Sequence, residues 1–178
     1  TDAPLDRAAV IAGLRHRTGV VVAAAVRVVR ARGLDDLDDE LAAAFTRLAD
    51  DGVTSDPMCR GKLAIARALH DLERWHDDVF VRGVSLVQEE PVWGGREDTA
   101  AELRGVCGLA FAHSYRPDAL DVLADLLADR QRVARVAAAQ GLGDCGHPDA
   151  AALVRFKLRL GDDEPEVLAA CVASILVL

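Results

Sequence analysis

The chain has 178 residues and a formal net charge of −8, with 51% of its residues apolar and only 4% aromatic. Such a charge argues against a general nucleic-acid binder, because phosphate contacts need a field of opposite sign. A core of Ala, Val and Leu favours closely packed helices over a sheet sandwich, and the length suits one domain or one continuous stack.

Prolines punctuate the helices. Pro4, Pro57, Pro117, Pro148 and Pro165 stand where helices are expected to begin, the place at which a missing N–H and a fixed φ cost least. A first hairpin is predicted over 4–16 and 20–32, with Thr18 as N-cap and Gly33 as the stop. A second covers 37–50 and, after Asp51-Gly52, a long helix over 57–73. A third covers 77–88 and a helix capped by Asp98-Thr99 that runs to about 113. The fourth and fifth pair short helices, 117–128 and 148–160, with small-residue helices through 133–142 and 167–176, and each carries an acidic turn, Asp129 or Asp162-Asp163. The runs from Val133 to Leu142 and from Val167 to Leu176 align at an offset of 34 positions, a period typical of paired-helix solenoids. One hairpin cannot bury its own apolar face, so stacking on neighbours has to do it. The expectation is an all-α protein, an α-solenoid forming one domain over 1–178, with hairpins at roughly 3–33, 34–74, 75–114, 115–146 and 147–178.

Few motifs point to a reaction. Cys59, Cys107, Cys145 and Cys171 lie far apart, with no C-x-x-C and no His at ligand spacing, so neither a zinc site nor a disulfide framework is indicated, and a reduced cytoplasmic setting is expected. No phosphate-binding loop, nucleophile elbow or H-E-x-x-H zinc motif is present. No stretch is long and apolar enough for a membrane span. No cofactor, metal or catalytic residue is expected.

The runs Asp129, Arg132-Val133, Ala137-Ala138 and Gly141-Leu142-Gly143, and Asp162-Asp163, Pro165-Glu166-Val167, Ala170 and Leu176, resemble HEAT repeats. They are most similar to the bacterial type first associated with phycobilisome lyases. The resemblance is good over the last 60 or so residues, and only the hairpin rhythm persists upstream. It implies a fold, and HEAT proteins include adaptors, bilin lyases, a di-iron hydroxylase and DNA glycosylases. A di-iron hydroxylase of this class needs His-Glu pairs, and the sequence contains no His-Glu dipeptide. A bilin lyase could be imagined to use Cys107 or Cys171, but thiols on small-residue helix faces are inert. His70-Asp71 and His76-Asp77 invite comparison with metal-dependent HD phosphohydrolases, whose other ligands would fall on His16 and on Asp118 or Asp121. A stack whose hairpins touch only neighbours keeps those positions apart. The glycosylase comparison implies a basic concave face of Arg60, Lys62, Arg67, Arg104, Arg132 and Arg135, with Trp75 or Trp93 as the aromatic. The alternative is that these arginines pair with acids of adjacent hairpins.

The segment 88–98 breaks the rhythm with a Trp, the only Gly-Gly and four acids around one Arg. Either Trp93 folds back as a plug, or the loop contacts a ligand or partner. The last helix ends on Cys171-Val-Ala-Ser-Ile-Leu-Val-Leu178 with no polar face. Further chain is the preferred explanation, and pairing with another copy or another protein is the alternative. Together these features lead to the expectation of a non-enzymatic scaffold that binds another protein through Trp93, Gly94, Gly95 and Arg96 and through Arg60, Arg67, Arg104, Arg132 and Arg135. Nucleic-acid binding is the first rival and a His-Asp metal hydrolase the second.

Overall fold

A computed structural model describes residues 6–178, so the expected helix start at Pro4 lies outside the described residues. The described residues form ten α-helices and one two-stranded hairpin. They divide into two compact units. One holds residues 6–82 together with Val87–Ala100, and the other holds Gly83–Leu86 with Ala101–Leu178.

In the first unit the helices are α1 (Arg7–Leu14), α2 (Gly19–Arg32), α3 (Asp38–Asp51), α4 (Arg60–Asp71) and α5 (Asp77–Gly83), the last residue of α5 belonging to the other unit. Local chemistry sets their ends. Asp6 caps α1 by accepting the Ala9 N–H at 3.0 Å. Gly33 takes a left-handed φ of 60° after α2, and the Leu34 N–H reaches back to the Val29 carbonyl at 3.0 Å. Asp38, Asp39 and Glu40 place negative charge in the first turn of α3, where the helix dipole favours it. Val22, Val26 and Val29 of α2, Leu41, Phe45 and Leu48 of α3, and Ile65 and Leu69 of α4 recur at helical spacing and are fully buried. Each such side chain contributes about 1.5–3 kcal/mol through removal from water.

The second unit contains α6 (Ala101–His113), α7 (Ala119–Leu127), α8 (Arg132–Asp144), α9 (Ala150–Leu160) and α10 (Pro165–Val177). Helices α6, α8 and α10 pack in succession. Small residues let them approach closely: a Cβ on Gly105 of α6 would lie 3.0 Å from the Ala137 Cβ of α8. Between α8 and α10 the buried Ser174 hydroxyl donates to the Ala139 carbonyl at 2.7 Å. Leu123, Leu126, Leu142, Val154 and Val167 share one buried cluster with the alanines of α8.

Two arginines of this unit perform the same task one hairpin apart. Arg104 of α6 donates through Nε and Nη2 to Asp129 at 2.8 and 2.9 Å, and Arg135 of α8 donates through Nε and Nη2 to Asp162, both at 2.8 Å. Each aspartate also accepts a backbone N–H just ahead of the next helix, from Gln131 at 2.7 Å and Glu164 at 3.0 Å. Planar bidentate pairing of this kind fixes the orientation of both partners.

Three features differ from the sequence-based expectation. The helix expected to start at 57 begins at Arg60, because Met58 and Cys59 adopt left-handed φ angles of 59° and 53°. The helix expected over 77–88 stops at Gly83. The expected loop is a β-hairpin, β1 (Glu89–Val92) and β2 (Gly95–Asp98), and the two helices of the expected third helical hairpin fall mainly in different units.

Candidate interaction site

Strand β1 pairs antiparallel with β2 in the register Glu89↔Asp98, Glu90↔Glu97, Pro91↔Arg96 and Val92↔Gly95. Trp93 and Gly94 form the two-residue turn, and Gly94 supplies a φ of 90° that a side chain would resist. Trp93 is fully exposed at the tip. Beside it the Arg96 guanidinium lies back along the hairpin, donating to the Glu89 carbonyl at 2.8 Å.

The two buried strand residues of this hairpin are both carboxylates. Glu90 and Asp98 are buried, as is Gln88 just before the first strand. Buried charge is tolerated only where donors surround it, and here they do. Glu90 Oε1 accepts the Met58 N–H at 2.7 Å, the Gln88 amide at 2.7 Å and the Thr99 hydroxyl at 2.6 Å. Asp98 Oδ1 accepts the N–H groups of Gln88 and Ala100, both at 3.1 Å. The Gln88 amide also donates to the Asp56 carbonyl at 2.9 Å, which ties the hairpin to the start of α4.

The start of α4 is itself built around a buried ion pair. Lys62 and Asp56 are both 0% exposed, with Lys62 Nζ 3.1 Å from Asp56 Oδ2. The Asp56 carboxylate also accepts the Gly61 N–H at 2.7 Å and the Lys62 N–H at 3.0 Å, satisfying donors of the first turn of α4. Lys62 Nζ reaches the Leu48 carbonyl at 3.4 Å. The left-handed pair Met58-Cys59 makes this geometry possible, turning the Met58 N–H toward Glu90. Non-glycine residues in that region cost about 1–2 kcal/mol each, a strain held by the surrounding bonds.

Glycine is required where α2 meets this centre. A Cβ on Gly19 would overlap the Asp56 carboxylate, and one on Gly61 would lie 2.9 Å from the Gly19 Cα. Gly19→Ala is therefore expected to destabilise the protein by about 2–3 kcal/mol through overpacking. Urea unfolding followed by circular dichroism checks this, and an unchanged midpoint would contradict it.

Electrostatically the cluster is an anchor. Burial pushes the Glu90 carboxyl up, but the Thr99, Gln88 and Met58 donors and the nearby Lys62 charge outweigh it and hold Glu90 below the ordinary carboxylate range. Burial pushes the Cys59 thiol up to about 12, which removes it as a nucleophile. Lys62 and Asp56 are sealed from solvent and bonded to each other, so neither meets a substrate.

Of the residues named from sequence, Trp93, Gly94, Gly95 and Arg96 come together at the hairpin tip. Arg60 is exposed on the first turn of α4, and Arg67 is half-buried on the same helix. Arg104 and Arg135 are held inside the second unit by Asp129 and Asp162, and Arg104 also donates to the Leu86 carbonyl at 2.9 Å. Arg132 lies 3.1 Å from Glu166 and 3.9 Å from Glu164. Arg104, Arg132 and Arg135 thus pair with acids one hairpin on, the arrangement weighed as the alternative to a basic face.

The His-Asp pairs go to separate partners. Asp71 pairs with Arg30, and Asp77 accepts the Trp75 indole N–H at 2.7 Å. Trp75 stacks on Phe80 with ring centroids 5.0 Å apart. His76 turns toward α3, with Nε2 3.5 Å from Asp38, and one ligand atom from each of Asp38, Asp39 and His76 falls within 4.8 Å of the others. All four cysteines are free thiols, and no described helix is long and apolar enough to cross a membrane.

The anchoring residues Asp56, Lys62, Gln88, Glu90, Asp98 and Thr99 were not singled out as a group by sequence reasoning. The one available signal was Asp56-Pro57, which marks a helix start but says nothing of a buried carboxylate. No family model, characterised protein or solved structure matches the chain.

Proposed function

We propose that the protein is a non-enzymatic interaction scaffold, a HEAT-like α-solenoid of helical hairpins that captures another protein through Trp93. The observation that carries this reading is the combination of a fully exposed indole with a hairpin anchored by the buried, hydrogen-bonded Glu90 carboxylate. An indole that packs against nothing does little for folding, whereas a rigidly held one loses little entropy when a partner pocket closes on it. Tryptophan is among the residues that most often dominate interface energy. Arg96 supplies a polar neighbour on the same hairpin, while Arg104 and Arg135 serve the fold. The repeated Arg104–Asp129 and Arg135–Asp162 pairs support the HEAT-like reading, since each joins one hairpin to the next. Free cysteines throughout fit a reducing, cytoplasmic setting.

The experiment is affinity capture from nuclease-treated native lysate, with the wild-type chain and the Trp93→Ala variant as parallel baits, followed by titration of the purified captured protein. Trp93→Ala is expected to weaken that affinity about 30-fold or more. A partner held equally by both baits, or recovery of nucleic acid alone from untreated lysate, would overturn the reading.

A further inference from the structure

One corner of the first unit brings an imidazole and two carboxylates together. Asp38 and Asp39 open α3, and His76 directly precedes α5. The chain carries 29 acidic residues, yet among the described residues no other three histidine, cysteine or acidic side chains offer ligand atoms so close together; here they lie within 4.8 Å of one another. Local bonds hold the groups in place. The His76 carbonyl accepts the N–H groups of Val79 and Phe80 at 3.1 and 3.0 Å, which fixes its backbone, and the preceding Trp75 is stacked on Phe80. Asp38 Oδ1 accepts the Asp39 N–H at 3.2 Å, so Oδ2 is the oxygen that faces the imidazole.

The spacing distinguishes a shared ion from a direct bond. His76 Nε2 and Asp38 Oδ2 stand 3.5 Å apart, which is long for an N–H···O bond, whose usual range ends at about 3.2 Å. Two ligand atoms on a tetrahedral ion with bonds of about 2.0–2.1 Å lie about 3.3–3.4 Å apart. Charge points the same way. Neighbouring Asp35 and Asp36 are taken by Arg74 and Arg7, whereas Asp38 and Asp39 pair with no lysine or arginine among the described residues. Two full carboxylate charges outweigh the roughly half positive charge of the α3 N-terminus, so a cation is drawn in. The side chains of His76 and Asp38 are 20% and 30% exposed, which leaves an ion a way in. We propose that Asp38, Asp39 and His76 bind a divalent first-row transition ion such as zinc, each giving one ligand atom, with water completing the shell. The imidazole favours such an ion over calcium or magnesium, which prefer oxygen ligands alone. The site joins α3 to the segment before α5 within one unit and does not rest on the Trp93 reading.

Isothermal titration calorimetry of the full chain, first dialysed against a chelator, tests this. Zinc is expected to saturate at one ion per chain below about 100 μM, and calcium to bind at least about tenfold more weakly. His76→Ala and, separately, Asp38→Asn are expected to weaken zinc binding about tenfold or more with unchanged helical circular dichroism, since loss of even an outer-shell partner costs about that much. His147→Ala, at an exposed histidine beside Asp149 in the second unit, leaves zinc binding unchanged. Imidazole nitrogen resonances of the wild type supply a readout that needs no variant: His76 Nε2 is expected to shift on zinc addition. A chain not saturated by about 100 μM zinc, one that holds calcium as tightly, or a His76 Nε2 resonance that zinc leaves unmoved overturns the proposal. So does zinc binding that survives His76→Ala or Asp38→Asn, or that His147→Ala abolishes.

Discussion

Replacing Asp56 with alanine is expected to lower the unfolding free energy by about 3–5 kcal/mol. The substitution removes the counter-charge of a fully buried Lys62 and strips the Gly61 and Lys62 N–H groups of their acceptor. An unpaired buried ammonium has no water to turn to, and the Leu48 carbonyl at 3.4 Å is a poor substitute. Lys62→Met is expected to cost less, because Asp56 keeps two backbone donors. The double variant should fall short of the sum of the single costs, since without the lysine the lost carboxylate strands no charge. Denaturant unfolding of the four proteins measures this coupling. Strictly additive costs, or a loss under about 1 kcal/mol for Asp56→Ala, would show that the pair is not what holds the start of α4.

The second large effect lies at Asp162 and carries a pH signature. The Arg135 guanidinium holds the Asp162 carboxyl well below the ordinary carboxylate range against the opposing effect of burial, with Lys157 and the Glu164 N–H adding to the hold. A carboxylate depressed in the folded state contributes stability that is fully present above about pH 4, the unfolded value, and is lost as pH falls through the folded value. Arg135→Ala is expected to cost about 3 kcal/mol near neutrality by leaving Asp162 buried with Lys157 as its remaining cation. The variant's stability should also fall less steeply between about pH 4 and pH 2, because its Asp162 has less depression to lose. Denaturation midpoints across that range read both. Parallel pH profiles for variant and wild type would contradict the assignment. Asp129 behaves in the same sense: burial raises its carboxyl, but the Arg104 donors and the Gln131 N–H prevail.

Much of the helical framework is legible in the residues. Gly33, Asp51-Gly52 and the prolines at 57, 117, 148 and 165 mark ends that fall within a few residues of the observed ones, because a left-handed glycine or a missing N–H acts locally. The repeat anticipates an acidic turn in both hairpins, although the 34-residue offset matches Asp129 with Asp163 and the arginine pairs instead with Asp162. Three things are not legible, each for a physical reason. The hairpin hides because each strand buries a single residue and both of these, Glu90 and Asp98, are acids, so no apolar alternation announces a strand. The late start of α4 hides because nothing in Met58 or Cys59 favours a left-handed backbone; the bonds to Glu90 and Asp56 impose it. The commitment of Arg104 and Arg135 to internal carboxylates hides because an arginine on a small-residue helix serves equally well as partner surface or as internal strut.

The central claim is that Trp93 is held out for binding and takes no part in folding. The direct measurement is the unfolding free energy of Trp93→Ala beside that of Trp75→Ala, whose indole stacks on Phe80. Trp93→Ala is expected to match wild type within about 0.5 kcal/mol, while Trp75→Ala falls clearly below it. A loss above about 1 kcal/mol on removing Trp93 would make it a packing residue and contradict the account.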